Sequence, residues 1–154
     1  MMMKLSCDVI TALRGRTLAT AESCTGGGIG SALTAVPGSS AVYVGGIISY
    51  TNDVKISQLG VDAELLNRVG AVSSEVAEAM ACGARRVLGS DIAVSVTGLA
   101  GPGGDAFGNP VGTVFIGYSD HNCCLSKHFV FTGEREAVRK QATIAALNLI
   151  LEHN

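Results

Sequence analysis

The chain predicts a three-layer α/β/α sandwich built on a mixed β-sheet. Three observations lead there. Strand-like apolar runs alternate with helical periodicity as far as Thr97, and two further β segments, 111–119 and 125–131, follow one another as a hairpin. Each of two Gly-rich stretches, 23–28 and 98–104, directly follows a strand. Strands joined through helices run parallel, and a hairpin adds antiparallel pairs, so one sheet holds both kinds.

In chain order, Leu5, Val9 and Ala12 or Leu13 share a face before Gly15, which predicts a helix over 3–14. A short buried strand over 17–22 runs into Ser23-Cys24-Thr25-Gly26-Gly27-Gly28, and Ile29 to Thr34 reads as the helix that follows. Such a turn aims backbone N–H groups forward, where an anion can be received. Residues 41–50 are β-rich, with Gly45-Gly46 marking a bulge or a close backbone approach. Thr51-Asn52-Asp53 then opens a short helix that carries Lys55, and a second short helix falls near 62–69. Ser73 or Ser74 caps a strongly amphipathic helix with Val76, Met80 and Val87 on one face and Glu75 and Glu78 in the first turn. Asp91 to Thr97 forms the next strand and leads into a loop reaching Pro110, long enough to suggest function. The hairpin turns near Asp120-His121-Asn122, and a final helix begins about Glu134.

Composition excludes several functions. The 154 residues suit one domain, 1–154, and 47% hydrophobic against 16% charged residues excludes disorder. Lys and Arg total 11 against 13 acidic residues, with no basic block, so no nucleic-acid partner is expected. No signal-peptide pattern opens the chain and no apolar run of about 18 residues could span a bilayer, so no membrane partner and a cytoplasmic location are expected. The five cysteines lack a C-x-x-C pair and read as reduced, mostly buried residues. The three histidines lack metal-ligand spacing, so neither metal nor cofactor is expected.

The first Gly-rich turn offers Ser23, Cys24 and Thr25, each a possible nucleophile, helix cap or turn residue. No G-x-S-x-G elbow identifies a serine triad. Lys55 follows Tyr50 closely, and burial there would lower its pKa toward that of a general base; a Ser–Lys pair is a known alternative to the His-assisted triad. The stretch from Thr97 through Gly98 and Ala100 to Gly101 reads either as a tight turn or as an N–H cradle for phosphate or oxyanion. Arg135 and Arg139 stand four apart, either solvated or clamping a phosphate.

These residues resemble a family. Ala21-Glu22-Ser23-Cys24-Thr25-Gly26-Gly27, Pro37-Gly38-Ser39-Ser40, Gly45-Gly46 with Tyr50-Thr51-Asn52 and Lys55, Gly70-Ala71-Val72-Ser73, Thr97-Gly98-Leu99-Ala100-Gly101-Pro102 and Pro110-Val111-Gly112-Thr113-Val114 together are similar to the C-terminal domain of the competence/damage-inducible protein CinA. Standalone nicotinamide-nucleotide amidases share that pattern. The resemblance implies a metal-free amidase acting on nicotinamide mononucleotide in pyridine nucleotide salvage. It implies Ser23 as nucleophile, Lys55 as base and Tyr50 as an orienting hydrogen-bond partner. Thr51 stands where the family pattern has Ser. Substrate binding is implied for Glu22, Cys24, Thr25, Gly26, Gly27, Gly46, Thr97, Gly98, Ala100, Gly101, Arg135 and Arg139, with the oxyanion expected on amides around Thr25 and Gly26. A homodimer or larger homo-oligomer is expected. Two rivals stand beside this reading: a non-catalytic nucleotide-binding or regulatory module, and an amidase using the Cys24 thiol.

Overall fold

The computed structural model describes all 154 residues. Its elements are α1 (Met2–Ala12), β1 (Leu18–Glu22), α2 (Gly28–Thr34), β2 (Tyr43–Ile48), α3 (Asn52–Leu59), α4 (Ala63–Val69), α5 (Ser74–Leu88), β3 (Ile92–Gly98), β4 (Thr113–Ser119), β5 (Cys124–Val130) and α6 (Arg135–Glu152). The five strands form one mixed sheet in the order β2-β1-β3-β4-β5. β1 lies parallel to both β2 and β3, whereas β4 and β5 continue antiparallel as a hairpin. The α/β sandwich expected from the sequence is therefore present.

Alternation along the strands divides the interior in two. Leu18, Val94, Val96, Ile116 and Tyr118 pack against α1, α2 and α6 through residues such as Val9, Ile29 and Leu147. Ala19, Ala21 and Ala93 face Leu59, Val76 and Met80 from α3 and α5. The small side chains of that second face let α5 approach closely. A Cβ on Gly83 would stand 2.1 Å from the Leu59 carbonyl oxygen, and one on Gly117 would stand 2.2 Å from that of Ala77. No helix is long and apolar enough to cross a membrane.

Local chemistry sets most boundaries. Thr51, Asp62 and Ser73 cap α3, α4 and α5 by accepting from the amides of Val54, Glu64 and Val76, and Gly60 and Gly89 close α3 and α5 in left-handed conformation. β2 is shorter than its sequence suggests because Ser39–Ala41 forms a 3-10 turn. The expected bulge is there: Leu18 pairs with Tyr43 but Ala19 with Gly45, leaving Val44 unpaired. β1 and β3 end side by side, Glu22 opposite Val96, so the two Gly-rich segments emerge at one end of the sheet.

Candidate active site

β1 delivers Ser23 to the sheet end, where its amide donates to the Val96 carbonyl and continues the pairing one residue past the strand. The turn after it needs glycine, since Gly26 and Gly27 have φ of 59° and 103°. Glu22 holds this turn. Its buried carboxylate accepts from the Thr25 hydroxyl at 2.7 Å and from the amides of Gly27, Ile29 and Gly30 at 3.2, 2.9 and 3.0 Å. The start of α2 is thus satisfied from within the chain, so the Glu22 carboxylate and the Gly27 amide expected at the substrate are engaged with each other. Gly46 likewise serves packing, because a Cβ there would meet the Thr20 hydroxyl at 2.2 Å. Glu22, Gly27 and Gly46 line a separate hollow of about 220 Å³ on the α2 side.

Lys55 reaches Ser23 from the first turn of α3, and the side chain is 1% exposed. Its Nζ lies 2.9 Å from Ser23 Oγ, 2.7 Å from the Ser49 carbonyl and 3.4 Å from the Tyr50 carbonyl. Burial lowers its pKa from 10.5 to about 8, because the ammonium loses hydration. In the neutral amine the two carbonyls take the two N–H groups, leaving the lone pair for the Ser23 hydroxyl. The Ser49 carbonyl was invisible to sequence reasoning, since every residue carries one.

Tyr50 departs from expectation. Its ring is 58% exposed, and its hydroxyl accepts from Arg135 Nη2 at 3.0 Å, so the backbone rather than the phenol meets Lys55. Arg135 also donates to the Gly101 carbonyl at 2.7 Å, tying the second Gly-rich loop to α6. Arg139 is spent on the nucleophile turn: Nε donates to the Cys24 carbonyl at 3.0 Å and Nη2 to that of Thr25 at 3.2 Å. It is not a free phosphate clamp.

The cleft above Ser23 measures about 480 Å³. Ser23, Cys24, Tyr50, Lys55, Thr97, Gly98, Ala100, Gly101 and Arg135 line it, while Thr25, Gly26 and Arg139 do not. Asn52, Ala71, Val72, Leu99, Gly103, Asp105, Ala106 and Phe107 complete the wall. Of these, Asn52, Ala71, Val72 and Leu99 carried a signal through the motifs that contain them, and the length of the loop signalled Phe107. Thr97 donates to the Ala71 carbonyl at 2.8 Å, joining the two walls. Asp105 organises the far part of the loop by accepting from the amides of Phe107 and Asn109 and from Asn109 Nδ2. A larger groove of about 610 Å³ between β5 and α6 contains neither the Ser23 hydroxyl nor the buried amine, so reactivity singles out the smaller cleft.

Hydrogen bonding also distinguishes the amides. Gly26 N–H donates to the Ser23 carbonyl, which removes it as an oxyanion donor, whereas the amides of Cys24 and Thr25 have no acceptor within the chain. In a trans peptide N–H and C=O point oppositely. The Arg139 grip on the Cys24 carbonyl therefore fixes the direction of the Thr25 N–H. In the second loop Leu99 N–H donates to the Thr113 carbonyl, while those of Ala100 and Gly101 find no acceptor in the chain. The Cys24 thiol is pushed up to about 11 by burial, which opposes the thiolate its use as nucleophile would need.

The family model for the CinA C-terminal domain matches residues 3–153. A Pseudomonas putida protein named nicotinamide-nucleotide amidohydrolase PncC is 51% identical over 133 residues, covering 86% of this chain and 83% of that protein. A CinA-like protein of Geobacter metallireducens is 50% identical over 134 residues, covering 87% of this chain and 32% of its own length. The chain thus spans about a third of such CinA-like relatives. Among solved structures, the competence damage-inducible protein A of Klebsiella pneumoniae superposes with a TM-score of 0.95 at 37% identity, over 98% of this chain and 95% of that one. The competence/damage-inducible protein of Agrobacterium tumefaciens gives 0.94 at 39% identity, over 98% and 94%. On sequence and fold alike, the chain belongs to the CinA C-terminal domain family.

Proposed function

We propose that this chain is a nicotinamide-nucleotide amidase, hydrolysing the carboxamide of nicotinamide mononucleotide to nicotinate mononucleotide and ammonia in pyridine nucleotide salvage. The observation that carries the reading is the 2.9 Å approach of the buried Lys55 amine to the Ser23 hydroxyl at the floor of a cleft. The 51% identity to a protein named for this reaction supports the substrate.

In the reaction, neutral Lys55 takes the hydroxyl proton as Ser23 Oγ attacks the carboxamide carbon. The carbonyl oxygen gains the electron pair and is received by the amides of Cys24 and Thr25. Lys55 returns its proton to the departing nitrogen, the C–N bond breaks, and ammonia leaves an acyl-enzyme. Water, deprotonated by the same amine, then attacks the ester and restores Ser23. The substrate phosphate rests on the amides of Ala100 and Gly101 near Arg135, since fixed donors hold an anion without a basic surface. The reaction occupies one cytoplasmic domain, 1–154, that self-associates; the exposed edge strand β2, where Val44 and Ile48 are 47% and 55% exposed, supports this part of the proposal. Sedimentation as a monomer at micromolar concentration would remove that last element.

Ammonia release from nicotinamide mononucleotide tests the whole. Ser23→Ala and Lys55→Met should each lower turnover at least about 10³-fold, and the double variant should be little worse than either. Binding without ammonia release across about pH 6–9 would leave only a nucleotide-binding module.

A further inference from the structure

Only Cys24 of the five thiols is buried; Cys7, Cys82 and Cys123 are partly exposed and Cys124 is exposed. This differs from the mostly buried set suggested by composition. It reflects placement of Cys124 on an edge strand and of Cys82 on the helix covering it.

Cys82 projects from α5 and Cys124 opens β5, 42 residues later, and their Sγ atoms are 2.8 Å apart. Each thiol proton has an alternative acceptor: the Ser119 hydroxyl lies 3.5 Å from Cys82 Sγ, and the Glu78 carbonyl 3.6 Å from Cys124 Sγ. Cys123 is adjacent in sequence but packs with the α1/α2/α6 core, because successive strand residues point to opposite faces. The seam around the pair is fixed, with Ser126 donating to Glu78 at 2.9 Å and Arg85 to the Asp120 carbonyl at 2.9 Å. Ser119, opposite Cys124 in the hairpin, ends β4 at the far end of the sheet from Thr113 and the cleft.

We infer that Cys82 and Cys124 form a redox-active dithiol, a modification site that a hydroperoxide closes to a disulfide tying α5 to edge strand β5. The thiolate of Cys82 attacks a peroxide oxygen, the O–O bond breaks, and an alcohol or water leaves a sulfenic acid, while burial and the neighbouring Cys82 push the Cys124 thiol up to about 12 and leave it the resolving partner. The second sulfur attacks the first, the S–O bond breaks, and water departs. Two thiols lose two electrons and two protons, and the hydroperoxide is reduced to alcohol and water. A thiol pair reduces the bond again. Proximity distinguishes this pair from Cys7, Cys24 and Cys123.

The full chain, exposed to hydrogen peroxide and then alkylated, provides the test. Peptide mapping should find Cys82 joined to Cys124 within one molecule, with Cys123 alkylated. Closing a loop of this length should raise Tm by about 5–10 °C, reversibly with dithiothreitol. Cys123→Ser should keep the crosslink and the shift, and Cys82→Ser and Cys124→Ser should lose both. Ammonia release should stay within about twofold, because the pair lies away from the cleft. Pairing through Cys123, crosslinks between molecules, or no crosslink at peroxide doses that oxidise free glutathione would overturn the inference.

Discussion

Replacing Lys55 by Met should stabilise the protein while abolishing its chemistry. Burial brings the amine from 10.5 to about 8, which corresponds to roughly 3 kcal/mol of folding free energy. Between about pH 8 and 10.5 the unfolded chain keeps a proton that the folded chain has released, so stability rises with pH through that window. Below it both states are protonated, and the folded state bears the full cost of a buried ammonium. Met removes that charge and keeps the packing volume, but it forfeits the hydrogen bond to the Ser49 carbonyl, worth about 1 kcal/mol. The balance is a gain of roughly 1–2 kcal/mol near pH 6.5, or about 5 °C in Tm. Near pH 10.5 the gain should vanish and the variant should melt slightly below the parent. Thermal melts of both proteins at the two pH values measure this directly. The parent's kcat/KM should rise about tenfold per pH unit below about 8 and then level. A variant less stable than its parent by the same amount at both pH values would refute the reasoning, since Lys55 would then pay nothing for its charge and would have no reason to be neutral.

Three further substitutions separate holding the turn from holding the substrate. Arg139→Gln should lower kcat by about 10²-fold with KM changed little, because the guanidinium orients the Cys24–Thr25 peptide; Arg135→Ala should mainly raise KM, and steady-state kinetics distinguishes the two. Glu22→Ala should cost about 3 kcal/mol in urea unfolding, as it strands the Thr25 hydroxyl and three amides that the carboxylate now satisfies.

Periodicity made the elements and the mixed sheet readable, because buried faces impose spacings of two and 3.6 on the chain. Boundaries slipped where local turns intervened, as at Ser39–Ala41 before β2. At the site, Ser23 and Lys55 were found through motif order, and the fold brings them into contact. Neither motif membership nor helical spacing distinguished residues that face the cleft from those that build it. Glu22, Gly46 and Arg139 belong to the second kind, each committed to hydrogen bonds or close contacts inside the chain. Tyr50 contributes a carbonyl, for which a sequence carries no mark.

The carboxylate lodged at the start of α2 has one more effect. A helix beginning is a natural seat for an anion, and here the protein brings its own and keeps the seat filled. On the function proposed above, recognition of the nucleotide's charged tail then falls to the 98–110 loop, physically apart from proton transfer. Changes confined to that loop could retune which tail is accepted while the hydrolytic pair stays intact, so selectivity and reactivity are free to diversify on separate segments.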